Sequence, residues 1–149
     1  MLQLNDIAPD FELISETGAS HKLSDFRGQR LLLVFYPGDN TPVCTRQLCD
    51  YRDGIESFTN LGVKVIGFSA DDAESHLQFK KKHNLPFTLL SDPDLEVAER
   101  YHCKGLLGMK RGVFLLDEEG RFRYIHVETV ALFRRSREEL LEVISAMDQ

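Results

Sequence analysis

The stretch from Arg30 to Ser69 reads RLLLVFYPGDNTPVCTRQLCDYRDGIESFTNLGVKVIGFS. Arg30 to Tyr36 is nearly all apolar, the pattern of a strand buried on both faces. Pro37-Gly38 stops that run, and a short polar loop leads to Thr41, a good N-cap. Pro42 fits the first helical position, where a missing N–H costs nothing. From Pro42 to about Leu61, Cys44, Leu48, Tyr51, Ile55 and Phe58 recur at helical spacing and make one apolar stripe. Val63 to Ser69 is the next strand. Strand, helix and strand in this order predict a parallel pair joined by a right-handed crossover.

Working outward, residues before Arg30 read as a short-strand preamble. Phe11 to Ile14 alternates loosely, Glu16-Thr17-Gly18 turns, and His21 to Leu23 returns. Ser24 to Gly28 reads as one helical turn closed by glycine. Asp71-x-x-Glu74 resembles a capping box opening a helix to about Asn84, and Leu85-Pro86 ends it. Phe87 to Leu90 is a short strand. Asp92, with Pro93 at the first position, is expected to cap a third helix running to about Tyr101. Gly112 to Asp117 and Arg121 to Val127 are strands joined by Glu118-Glu119-Gly120 as a hairpin. Ser136-x-x-Glu139 is another capping box, and Leu140, Leu141, Ile144 and Met147 form the inner face of a last helix. The order predicts an α/β fold of thioredoxin-like type: a mixed central sheet flanked by helices, with a short N-terminal strand extension.

At 149 residues the chain suits one domain with one sizeable core, and there is no repeat or Ser/Gly linker to divide residues 1–149. Its apolar and charged fractions, 42% and 28%, are those of an ordinary globular protein. A net charge of −6 argues against a nucleic-acid or anionic-membrane partner. The first residues, Met1 to Asp6, lack both a basic region and a long apolar run, so no signal peptide is expected. No window approaches the length of a membrane span. Three cysteines without export signals suit a reducing compartment, and the expected address is cytoplasmic.

Two of those cysteines lie on the central helix. With Cys44 at zero on a helical wheel, Leu48, Tyr51, Ile55 and Phe58 fall within roughly 40° of it. Packing alone would therefore explain Cys44 as a small buried hydrophobe. Cys49 falls at about 140°, among Asp53, Glu56 and Asn60, where packing does not explain a cysteine. A functional reading covers both. Cys44 occupies the third helical position, and unpaired amides with the helix dipole favour a thiolate there. Five residues of helix separate the two Cα atoms by ~8–9 Å, whereas a disulfide tolerates at most ~7 Å. An exchange between them thus requires the helix to unwind locally, and Gly54 is a candidate limit to that unwinding.

Pro37-x-x-x-Thr41-x-x-Cys44 matches the active-site motif of the peroxiredoxins, and Thr41 to Asp53 closely resembles the peroxiredoxin Q, or bacterioferritin-comigratory-protein, subgroup. Further matches are Ala8 to Leu13, Leu23 to Gly28 and Arg111 to Asp117, in the same order, so the resemblance covers the whole chain. It implies thiol-dependent reduction of hydrogen peroxide and organic hydroperoxides on a thioredoxin-like fold. Cys44 would be the peroxidatic thiolate and Cys49 the resolving cysteine, joined in an intramolecular disulfide that thioredoxin or a similar dithiol reduces. No metal, haem or flavin cofactor is implied.

By the same resemblance Thr41 and Arg111 would contact the peroxide, Pro37 would shield the thiolate, and Gln47 would shape the pocket. Taken alone, Thr41 is a plain N-cap, Gln47 a solvated helix residue and Arg111 a surface charge before a strand. Val43 stands where close relatives often carry glycine, and Lys110 beside Arg111 leaves the register open by one residue, although the spacing to Phe114 favours Arg111. Cys103 matches no catalytic position and reads as a packed cysteine, with an alternative resolving thiol as the lesser reading. The subgroup implies a monomer, with a dimer as the alternative.

The competing readings are a redox-sensing domain using the same pair, and a thiol–disulfide oxidoreductase, which lacks its Cys-x-x-Cys signature here. His21, His76, His83, His102 and His126 have no zinc-type spacing with the cysteines, so no metal site is expected.

Overall fold

The computed structural model describes residues 2–106, 108–128 and 134–147. Its centre is the strand β3 (Arg30–Phe35), which pairs in parallel with β4 (Val63–Ser69) and antiparallel with β8 (Gly112–Leu116). β1 (Glu12–Ser15), β2 (Ser20–Lys22), β5 (Thr88–Ser91) and β9 (Phe122–Val127) complete a seven-stranded mixed sheet in the order β2-β1-β5-β4-β3-β8-β9. Leu31, Leu33 and Phe35 of β3 point to one face, and Leu32, Val34 and Tyr36 to the other; all are buried. Both faces of the strand are covered, as its unbroken apolar sequence requires.

Helices α1 (Pro42–Asp53), α2 (Ile55–Asn60), α3 (Ala73–His83) and α5 (Arg137–Ala146) supply Cys44, Leu48, Tyr51, Phe58, Phe79, Leu140 and Ile144 to the core on the Leu32 face. On the opposite face, α4 (Glu96–Arg100) and the chain around Phe11 pack on Phe35, Phe68, Phe114 and Phe122. Phe35 and Phe68 stack with centroids 4.4 Å apart at the centre of this layer. No helix among the described residues is long and apolar enough to cross a membrane.

The β-α-β unit, the hairpin between β8 and β9, and the Ser136–Glu139 capping box follow the sequence reading. Three helix boundaries differ. The long helix expected from Pro42 to Leu61 divides at Gly54 into α1 and α2. Arg137 packs so tightly there that a Cβ on Gly54 would lie 2.8 Å from its Cδ. The cap of α3 is Asp72, which accepts from the Ser75 amide at 2.8 Å. Asp71 is drawn away because its carboxylate accepts from the Ser69 hydroxyl and the Asp39 amide, both at 2.7 Å.

The third helix starts at Glu96, after a turn in which Leu95 takes a left-handed φ of 58°. Leu95 rather than Asp92 is therefore the N-cap and Pro93 lies before the helix, although the Asp92 carboxylate still accepts from the first-turn amides of Val97 and Ala98. The short hairpin of β6 (Lys104–Gly105) and β7 (Gly108–Met109) was not foreseen, since two-residue strands carry no readable alternation.

Candidate active site

The end of β3 delivers the chain into a loop, Pro37 to Asn40, whose last residue has a left-handed φ of 64°. Asparagine tolerates that conformation better than most residues. Thr41 stands at the N-cap and Pro42 at the first helical position, so Cys44 is the third residue of α1, as the spacing indicates. The Thr41 side chain does not cap the helix; its hydroxyl donates to the Gly38 carbonyl at 3.0 Å. The first-turn amides beside Cys44 are thus left without a capping side chain, and the helix dipole there favours negative charge.

Gly112 pairs with Phe35 in the antiparallel register of β8 with β3, which brings Arg111 to the end of β3 where the loop departs. Arg111 is 2% exposed, and Cys44 and Gln47 are fully buried. Nη1 of Arg111 donates to Cys44 Sγ at 3.2 Å and to Gln47 Oε1 at 2.7 Å. Gln47 in turn donates to the Tyr51 hydroxyl at 3.0 Å, and Tyr51 donates to the Arg135 carbonyl at 2.6 Å. Burial pushes the Tyr51 phenol above its ordinary value, so it stays a neutral hydroxyl that can both accept and donate. Lys110, the neighbour that left the register open, is exposed.

The structure therefore brings together Cys44, Gln47 and Arg111, which only the resemblance had placed at one site, and Gln47 is no solvated residue. Tyr51 was read only as part of the apolar stripe; its place one turn after Gln47 on that stripe was the available signal.

Pro37 is half-buried and, with Arg111, lines one wall of a cavity of about 700 Å³. The other walls come chiefly from the β6–β7 hairpin, including Leu106 and Met109. Cys49 is half-buried on the far side of α1 from the stripe, and Cys44, Cys49 and Cys103 are all free thiols. α1 is unbroken between Cys44 and Cys49.

Just beyond Cys49 the helix is tied down. Asp50 accepts from the Arg137 amide at 2.9 Å and from Arg134 Nη1 at 3.3 Å, and Arg52 donates to the His83 carbonyl at 2.6 Å. Cys103 is fully buried against Gly112, and burial pushes its thiol up to about 12. A thiol held protonated is a poor nucleophile.

A sequence profile of the AhpC/TSA family matches residues 4–125. The chain is 44% identical over 128 residues to Peroxiredoxin Bcp of Bacillus subtilis, covering 80% of this chain and 82% of that one. It is equally identical over 122 residues to a chloroplastic peroxiredoxin Q of rice, again over 80% of this chain but over only 56% of the longer plant protein. A solved structure of the bacterioferritin comigratory protein of Xanthomonas campestris superposes with a TM-score of 0.87 at 26% identity, covering 100% of this chain and 99% of that one. On these grounds the chain belongs to the AhpC/TSA family, in the peroxiredoxin Q (Bcp) subgroup.

Proposed function

We propose that this protein is a thiol peroxidase in which Cys44 is the peroxidatic residue, and one observation carries the reading. A buried sulfur in the first turn of a helix receives a hydrogen bond from a buried guanidinium. The first-turn amides and Arg111 both favour a negative sulfur. Peroxide then places its distal oxygen on that sulfur. The S–O bond forms as the O–O bond breaks, Cys44 becomes a sulfenic acid, and the leaving oxygen takes up a proton as water or an alcohol. Arg111 is positioned to stabilise the charge that builds on the departing oxygen. Pro37 narrows the approach from the cavity side. The Thr41 hydroxyl must turn from Gly38 if it is to bond the peroxide.

Cys49 is the resolving thiol in this reading. Its sulfur attacks the Cys44 sulfenic acid, a disulfide forms and water leaves. A dithiol reductant of thioredoxin type then restores both thiols by exchange. Because the standing helix holds the pair too far apart to bond, residues 44–49 must unwind first. The ties at Asp50, Tyr51 and Arg52 mark where the unwinding stops, a stronger limit than Gly54.

Organic hydroperoxides are included as substrates because the X. campestris relative is described for alkyl peroxide reduction and because Pro37, Leu106 and Met109 give the cavity an apolar part among its charged side chains. A cytoplasmic monomer without a cofactor is the state proposed. Rapid mixing of reduced protein with one equivalent of peroxide tests the reading. Cys44→Ser is expected to abolish consumption. A wild-type protein that oxidises once but shows no turnover with added reductant would favour a sensor instead.

A further inference from the structure

The loop between β3 and α1 is held by a buried polar cluster that the peroxide chemistry does not use. Asp39 lies two residues after Pro37 and two before Thr41, and its side chain is 1% exposed. Oδ1 accepts from the Tyr36 hydroxyl at 2.6 Å, and Oδ2 accepts from the Ser75 hydroxyl at 2.9 Å. His76 Nδ1 lies 2.8 Å from the same Oδ2. The other ring nitrogen, Nε2, lies 3.2 Å from the Leu90 carbonyl of β5. The backbone of Asp39 is engaged as well, donating to Asp71, which also accepts from Ser69. The His76 side chain is fully buried.

The hydrogen bonds of this cluster tie the loop to α3 and β5. Tyr36 and Ser75 both offer O–H groups, which the two Asp39 oxygens accept. The ring of His76 faces an Asp39 oxygen at one nitrogen and a carbonyl oxygen at the other. A carbonyl only accepts, so Nε2 carries a hydrogen and donates to Leu90, while Nδ1 and Asp39 Oδ2 share the second hydrogen bond. The result is a buried hydrogen-bonded pair between the loop and α3, braced from β5, and leaving one of its polar groups without a partner is costly.

From this geometry we infer that the hydrogen-bonded pair of Asp39 and His76 forms a latch that positions the first turn of α1, with His76 acting as a positioning residue. The latch fixes the loop on the N-terminal side of Cys44, as Asp50, Tyr51 and Arg52 fix the helix on the other side. Between these two anchors lies only the segment that must rearrange. The inference extends the proposed peroxidase reading, but its primary test needs no peroxide.

Two measurements on the reduced protein test it. Ring ¹⁵N shifts of His76 are expected to show Nε2 carrying a hydrogen and Nδ1 hydrogen-bonded; an Nε2 without its hydrogen would overturn the pairing with Asp39 and Leu90. Amide exchange of residues 39–46 is expected to quicken by at least ~10-fold in His76→Leu, while β8 and α5 keep wild-type protection. His76→Asn, which keeps one donor toward Asp39, is expected to recover part of that protection. Wild-type exchange at residues 39–46 in His76→Leu would overturn the latch. So would uniform quickening across the sheet, which marks a global loss of stability rather than a local anchor. Peroxide oxidation of Cys44, followed in the same variants, should slow in step with the loss of protection. A wild-type protein inert to peroxide would refute the peroxidase reading and leave the exchange result standing.

Discussion

Replacing Arg111 with methionine tests how the site activates its sulfur. Nη1 of Arg111 serves two acceptors at once, Cys44 Sγ at 3.2 Å and Gln47 Oε1 at 2.7 Å. Methionine fills much of the same volume and offers neither hydrogen bond. A hydrogen bond to a charged group contributes roughly 1.5–3 kcal/mol. Each ~1.36 kcal/mol of transition-state stabilisation is a tenfold rate, so first-turnover oxidation of Cys44 should slow by about 10- to 150-fold.

Stability should move less. An unpaired Gln47 carbonyl costs about 1–3 kcal/mol, but the variant no longer has to bury a guanidinium, which offsets part of that cost. At about 2–4 °C per kcal/mol for a chain of this size, melting should fall by less than roughly 10 °C. Stopped-flow mixing with hydrogen peroxide, well below the melting transition, separates the two effects. Arg111→Lys keeps a point charge without the planar fork and should fall between wild type and Arg111→Met. The reasoning fails if Arg111→Met oxidises at the wild-type rate while remaining folded.

Four further outcomes follow from the structure. Cys49→Ser should leave the first oxidation of Cys44 intact and block recycling by a dithiol, seen as one turnover followed by arrest. Gly112→Ala should lower stability by about 1–3 kcal/mol through overpacking, because its Cβ would lie 2.5 Å from Cys103 Sγ; adding Cys103→Ala should recover part of the loss in urea unfolding. Burial works to raise the Glu16 carboxyl, but Lys80 and the Leu89 amide outweigh it and hold the group below its ordinary value. Its contribution is therefore present above the ordinary carboxylate range and lost as pH falls through the lowered value, so Glu16→Gln should show a smaller drop in urea midpoint on acidification than wild type. Cys103→Ala alone should leave peroxide turnover unchanged, since burial keeps that thiol protonated.

What the sequence made legible was local periodicity. The helical stripe through Cys44, Leu48 and Tyr51 put one cysteine inward and the other outward, and α1 follows that pattern. Contacts distant in sequence were not legible. Asp71 and Glu74 satisfy a capping-box spacing, yet Asp71 answers to Asp39, 32 positions away, and the cap moves to Asp72. β1 lies against β5 through pairs such as Ile14 with Ser91, which no local pattern announces.

His76 was weighed only as a metal ligand. Its position on the buried side of α3, one turn before Phe79, was the signal that a polar partner had to be near. Taken alone Gln47 reads as solvated, and only the resemblance puts it in the pocket, because one side chain on a helix does not reveal that an arginine arrives from the residue before β8.

The central claim is that Cys44 and Cys49 exchange through a helix that must open. Peptide mapping by mass spectrometry, after one equivalent of peroxide on wild-type protein, tests it most directly. A dominant Cys44–Cys49 bridge is the predicted result. A Cys44–Cys103 bridge, or a persistent sulfenic acid with no intramolecular bridge, would contradict the account.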